Sequence, residues 1–276
     1  MMSIGASRRL KTGIAILIAV PFVVPFVLLI STALRDRVDY IASPGGLPRS
    51  FTLDNLVVAW NEANLGRALV STLIVCAVAC AVCGITALAA AYWFRIHRGR
   101  LVGALRWVLV AGYAIPMIAW LIPVFVILAN GGLTDNLVVA GVVNGVASLP
   151  FALYLVHTFF GQVLTAEMLE AATLDGAGVF RTFWNLAVPL SKPAMASVFA
   201  LVFVWTFGDL LVAATLLQGD ESVYTITLAA TSLSTREDVN LQGQAAAAVV
   251  ALLPTLVVFA VAQRALAKGF GGVSDK

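Results

Sequence analysis

The chain has 276 residues, of which 61% are hydrophobic and only 11% charged, with a mean hydropathy of +0.98. A water-soluble domain carries charge on about 25% of its residues, so this chain has too little charge to cover its own surface in water. A soluble globular protein is excluded, and the net charge of +3 gives no reason to expect a nucleic-acid partner.

A helix needs about 20 apolar residues to cross some 30 Å of hydrocarbon. Residues 12–34, 68–94, 107–134, 136–166 and 239–263 contain no Lys, Arg, Asp or Glu, and residues 193–219 contain only Asp209. These runs predict six spans, near 12–34, 68–94, 107–129, 137–160, 194–218 and 241–264, in one all-α transmembrane domain covering 1–276. Ser31-Thr32-Ala33 is similar to a small-x-small cleavage site. The 23-residue run before it is longer than the roughly 7–15 residues of a secretory core, so the first span is read as a retained anchor. The external loop that follows has turn material at Pro44-Gly45-Gly46-Leu47-Pro48, and Thr52-Leu53-Asp54-Asn55 can begin a short interfacial helix.

In the second span Cys76, Cys80 and Cys83 recur at helical spacing. They read as small residues that let helices pack closely, not as a disulfide framework. Pro116 and Pro123 predict a kinked third span. Twelve Lys and Arg fall on the side of the two termini and five on the other, so both termini are expected in the cytoplasm.

Recognisable catalytic motifs are missing. The chain lacks a Gly-x-x-x-x-Gly-Lys-Ser/Thr phosphate loop, a His-Glu-x-x-His metal site and a Gly-x-Ser-x-Gly elbow. His97 falls in a basic loop and reads as solvated. His157, near the end of the fourth span, reads as a packing or interhelical hydrogen-bonding residue. Polar span residues that can line a pathway are Tyr113, Trp120, Asn130, Asn144, Thr158 and Thr215.

The cytoplasmic stretch 161–193 is more than a linker. Residues 166–175 read as a helix, with Glu167 and Glu170 favourably placed near its start. Asp175-Gly176-Ala177-Gly178 breaks it, helical spacing resumes from Val179 to Leu186, and Pro189 and Pro193 are expected to end the second piece. The result is a short helix–turn–helix with exposed apolar residues, which fits a docking surface. An amphipathic element lying on headgroups would carry more than Arg181 and Lys192.

The same residues carry a resemblance. Glu170-Ala171-Ala172, three residues, Gly176, nine residues, then Leu186-Ala187-Val188-Pro189 resembles the signature loop of permease subunits in binding-protein-dependent ABC importers. Phe51-Thr52-Leu53-Asp54-Asn55, Phe203-Val204-Trp205-Thr206-Phe207-Gly208-Asp209 and the tail with Gln263-Arg264, Gly269, Gly272 and Lys276 are similar to the six-span, maltose/glycerol-phosphate-type permease of the carbohydrate branch. Phe207 and Gly208 stand where that branch usually has Trp and Asn.

The resemblance implies the type I ABC importer permease fold and a bacterial inner-membrane location. It implies a heterodimer with a second permease, two copies of a cytoplasmic ATPase, an extracytoplasmic binding protein and surrounding membrane lipid. ATP and Mg would sit on the ATPase partners, with no cofactor or metal and no catalysis on this chain. Glu170, Ala171, Ala172, Asp175, Gly176, Ala177 and Pro189 would form the ATPase-coupling element. Phe180, Phe183 and Trp184 would anchor it, either to its own helices or to the ATPase groove. Trp205 and Asp209 would face the pathway or the other permease, with architecture favoured over substrate choice for Asp209. Gln263 and Arg264 would make a cytoplasmic tail contact. The loop alone also permits import of a polyamine, phosphate or peptide, and a secondary transporter working without ATPases is a further alternative.

Overall fold

The computed structural model describes residues 3–234 and 240–271, and every element among them is helical. In chain order these are α1 (Ser3–Ala33), α2 (Arg37–Ala42), α3 (Asp54–Glu62), α4 (Leu65–Ile96), α5 (Arg100–Ala111) and α6 (Met117–Asn130). They are followed by α7 (Leu137–Val163), α8 (Ala166–Leu174), α9 (Val179–Phe207), α10 (Leu211–Leu216), α11 (Ile226–Ser232) and α12 (Leu241–Gly271). Among the described residues, α4, α7, α9 and the Leu241–Val261 part of α12 are long and apolar enough to cross a membrane. A fifth crossing results if α5 and α6 are counted together.

The chain divides into two compact units. The first takes residues 3–66 and 229–253. Between α1 and α3 it carries a polar knot around Arg35, a fully buried arginine. Arg35 Nε and Nη2 donate to the Asp39 carboxylate at 3.0 and 3.2 Å, and further N–H groups reach the carbonyls of Asp39, Ser43 and Gly46. Asp39 also accepts from the backbone N–H of Arg49 and Ser50. The Asn55 side-chain amide closes the knot by donating to the carbonyls of Ala33 and Arg35. The short helix expected near Thr52–Asn55 is α3, and Thr52 Oγ1 accepts the Asp54 N–H at its start.

The second unit takes residues 67–228 and 254–271. Its core is a stripe of small residues on α4, Ala79, Cys83, Ala87 and Ala91, against Leu153, Val156 and Phe160 of α7 and Val198 and Val202 of α9. Lipid tails are as apolar as leucine, so helices associate here by close packing and not by escaping water. Gly145 shows how close the approach is, since a Cβ there would sit 2.9 Å from the Ala79 carbonyl oxygen. Cys76 and Cys83 are buried free thiols, and Cys76 Sγ lies 3.9 Å from the Phe203 carbonyl oxygen.

Three expectations change. The third span is not one kinked helix, because α5 and α6 meet at 97°. Pro116 forces Ile115 out of the helical region (φ −80°, ψ 120°) and helix resumes only at Met117. Pro123 stays inside α6. Pro189 and Pro193 do not end the cytoplasmic helix, because α9 runs from Val179 straight into the fifth apolar run. A π turn at Phe183–Ala187 absorbs the defect: the Val188 N–H bonds five residues back to Phe183, immediately before Pro189, which has no N–H to give. The fifth span is expected from its composition to continue to 218, but α9 stops at Phe207 and three non-helical residues, Gly208–Leu210, separate it from α10.

Candidate functional site

The segment joining α7 to α9 is built from local rules first. Thr165 caps α8 by accepting the Met168 N–H. Hydrogen bonds from the Thr165 hydroxyl and from its own backbone N–H hold the Glu167 carboxyl below the usual carboxylate range. The helix closes with both bonds of a Schellman motif, Ala177 N–H to Ala172 O at 2.9 Å and Gly176 N–H to Thr173 O at 3.0 Å. Gly176 has φ +73°, a left-handed conformation that glycine takes without steric cost. The reversal at Asp175–Gly178 is therefore a property of the sequence.

Closing the helix this way leaves its outer surface uncovered. Glu170, Ala171, Asp175 and Gly176 are exposed, and Ala172 and Ala177 are half-buried. Leu174 is 89% exposed and Phe180 75%, so both leave apolar surface uncovered beside α8. Open hollows of about 310 and 390 Å³ flank α8, the first bounded by Arg98, Glu170 and Thr173, the second by Ala171, Asp175 and Asn185.

The aromatic residues divide into two groups. Phe183 is turned inward, its ring 5.3 Å from that of Tyr92 on α4 and packed against the core of the second unit. Phe180 and Trp184 are exposed, edge to face with one another at 6.1 Å. The sequence leaves open which of the three faces its own helices, and the inward ring is Phe183. Pro189 sits at the π turn, exposed.

Two residues that sequence reasoning missed hold this segment from behind. Tyr92 donates its hydroxyl proton to the Val179 carbonyl at 3.0 Å, where α9 begins. Arg95 Nε donates to the Leu164 carbonyl at 2.8 Å, where α7 ends. The end of α4 thus ties down both flanks of α8 through backbone acceptors. The only sequence signal was Arg95 as one basic residue of a loop, and no spacing rule gives its partner.

The remaining expected residues lie elsewhere. Asp209 caps α10, its Oδ2 accepting the Val212 N–H at 3.0 Å, while its carbonyl accepts the Thr227 hydroxyl. Trp205 is half-exposed and edge to face with Phe151, which in turn tilts against Tyr113, making an aromatic row. Asn144 is buried and its side chain bonds back to the Ala140 carbonyl. Gln263 is exposed and donates to the Ala260 carbonyl, and the Arg264 side chain lies outside the described residues. His157 accepts a hydrogen bond from Arg106 across helices, and exposed His97 stacks on Trp93.

Comparison with known proteins gives the family and the fold. The chain is similar to the melibiose/raffinose/stachyose import permease protein MelC of Bacillus subtilis, 29% identical and covering 98% of this chain and 97% of that one. It is also similar to the diacetylchitobiose uptake system permease protein NgcG of Streptomyces coelicolor, 29% identical over 95% of this chain and 86% of that protein. In structure it matches a chain of a bacterial ABC transporter involved in import of the acidic polysaccharide alginate, with a TM-score of 0.78 at 19% identity, covering 96% and 98% of the two chains. That match establishes a shared fold. Residues 83–272, which contain the capped helix, its tether and most of the packed core, match the family described as binding-protein-dependent transport system inner membrane component. With its apolar helices and this match over most of its length, the chain belongs to that family, the membrane-embedded permeases of importers that work with an ATPase and a solute-binding protein.

Proposed function

We propose that this chain is one half of a heterodimeric sugar permease, delivering a mono-, di- or oligosaccharide or a glycerol-phosphate-like derivative across the bacterial inner membrane. In this reading the whole chain acts as one permease domain with six spans and both termini in the cytoplasm. An extracytoplasmic binding protein supplies the solute, and two ATPase copies bind ATP and Mg, leaving this chain without cofactor or catalysis. The names of the sugar permeases it is similar to support the solute class.

One observation carries the reading: a rigidly capped nine-residue helix, tethered from behind and open in front. Glu170, Ala171, Ala172, Asp175, Gly176 and Ala177 form the coupling helix. The alanines let the ATPase backbone approach, and Glu170 meets a basic residue. Phe180 and Trp184 fill the ATPase groove while Phe183 and the π turn before Pro189 fasten the element to α9. When the ATPases close, they move α8 as a body, and Tyr92 and Arg95 pass the displacement to α4 and α7. The row Tyr113, Phe151 and Trp205 offers flat apolar faces to a sugar, and Asp209 is architectural, holding the turn between α9 and α10. Gln263 and Arg264 make the cytoplasmic tail contact.

The test is affinity purification from the native membrane in mild detergent, with uptake measured in parallel. A second permease, an ATPase and a binding protein are expected with the wild-type chain. Glu170→Lys and Gly176→Pro are expected to abolish uptake or ATPase recovery while membrane insertion is unchanged. Normal solute-stimulated ATP turnover in those variants would falsify the docking role.

A further inference from the structure

Two hollows follow the groove between α5 and α7 and meet at a single hydrogen bond. Arg106 Nη1 donates to His157 Nε2 at 3.0 Å, and both residues border both hollows. The hollow nearer the α7 C-terminus, about 300 Å³, is walled by Arg95, His97, Arg98, Val102 and Gly161. The other, about 190 Å³, is walled by Trp107, Val110, Tyr154 and Thr158. Among the described residues, no Asp or Glu borders either hollow. Along α7 the lining passes from Gly161 through His157 to Tyr154, so the groove changes from cationic to apolar within two helical turns.

The outer face of α5 extends the pattern. Leu101, Leu105 and Val108 follow one another at spacings of four and three, all exposed, on a helix entered through Arg98 and Arg100. An exposed apolar stripe beside basic residues belongs at the headgroup boundary of a membrane. A guanidinium has five N–H donors, and Arg106 directs one to His157 while Arg95 directs one to Leu164.

We propose that this groove holds one anionic phospholipid of the cytoplasmic leaflet. Its phosphate lies against Arg98 and Arg106, and its acyl chains run past Trp107 and Tyr154. A small soluble anion would match the cationic hollow and leave the apolar one unused, whereas an amphiphile matches both in the order in which the bilayer presents them. The inference rests on the proposed topology, which puts the C-terminal end of α7 at the cytoplasmic surface. Lipid retention is nevertheless read without transport, so its failure and that of ATPase docking are separate results.

The experiment is native mass spectrometry of the chain, in whatever assembly it is recovered, released from nanodiscs of phosphatidylcholine doped with phosphatidylglycerol. The wild-type chain is expected to retain phosphatidylglycerol in preference to phosphatidylcholine. Arg98→Gln and Arg106→Gln should each weaken that preference roughly fivefold, with Arg106→Lys restoring most of it. Arg100→Gln removes the same charge from a residue that borders neither hollow and should leave the preference intact. Absence of a preference in the wild-type chain, or an equal loss in Arg100→Gln, overturns the site. Displacement of the lipid by inorganic phosphate would assign it to a free anion instead. A photocrosslinker at Trp107 that labels a protein and not lipid would give the groove to the second permease.

Discussion

The segment from Ser31 to Asn55, proposed as external, and the segment from Leu164 to Val188, proposed as the coupling element, are both short runs beside long apolar helices, yet they spend their polar groups in opposite ways. The external segment turns them inward. Arg35, Asp39, Asp36, Ser50 and Asn55 satisfy one another and the surrounding backbone, so the segment keeps its form without help from outside. The coupling segment satisfies only its own helix ends and leaves Glu170, Leu174 and Phe180 facing out. Its fixed points come from α4, through one tyrosine and one arginine. A loop that must hold its own shape saturates its donors and acceptors. The proposed coupling role needs the opposite, rigid anchorage behind and an unsaturated face in front.

Substitutions at the knot should have the largest effect. Arg35→Met leaves the Asp39 carboxylate and the carbonyls of Ser43 and Gly46 without their shared donor, and unpaired buried polar groups are costly. Loss of folded protein, or a Tm lower by many degrees, is expected in detergent. Glu170→Ala should leave Tm unchanged, and equal losses in both variants would erase the distinction between the two segments.

The tether should give an intermediate effect. Each bond from Tyr92 or Arg95 is worth about 0.5–1.5 kcal/mol, so Tyr92→Phe combined with Arg95→Leu should lower uptake about tenfold. ATP turnover should continue, now uncoupled from solute. Uptake and ATP turnover falling together would mean that the pair only supports folding.

The smallest effect is one of pH. The bidentate hydrogen bond from Arg35, with the Arg49 N–H, brings the Asp39 carboxyl down from its ordinary 3.8 to about 2. Asp36 is lowered too, first by the Asp39 N–H and then by the Ser50 hydroxyl. A carboxyl whose folded pKa is depressed stabilises fully above its unfolded value and loses that contribution as pH falls through the folded one. Hydrogen exchange at Arg49 and Ser50, corrected for intrinsic rates, should be flat from neutral pH to about 4 and rise only toward 2. A rise already at about pH 6 would mean that another group controls the knot.

What can be read in the sequence is what is encoded within a few residues. Apolar run length marks α4, α7, α9 and α12, because a bilayer sets a minimum length for each, but it shows neither the break between α5 and α6 nor the stop of α9 at Phe207. Thr165 and Gly176 mark the ends of α8, because caps are bonds between near neighbours. The capped helix α8 is therefore legible from its own residues. What only the tertiary structure decided lies at longer separation. Tyr92 meets Val179 across 87 positions and Arg95 meets Leu164 across 69. Nothing local to either residue selects its partner, since the pairing is fixed by how α4, α7 and α9 pack through their small residues. The prolines show the same division. Each removes a hydrogen bond wherever it stands, but whether the chain then bends, as at Pro116, or shifts into a π turn, as before Pro189, depends on what surrounds the helix. Arg35 counts in the sequence only as one positive charge, and the fold makes it the centre of the knot because the carbonyls of Asp39, Ser43 and Gly46 surround it only when α2 and the turn after it fold back over its guanidinium.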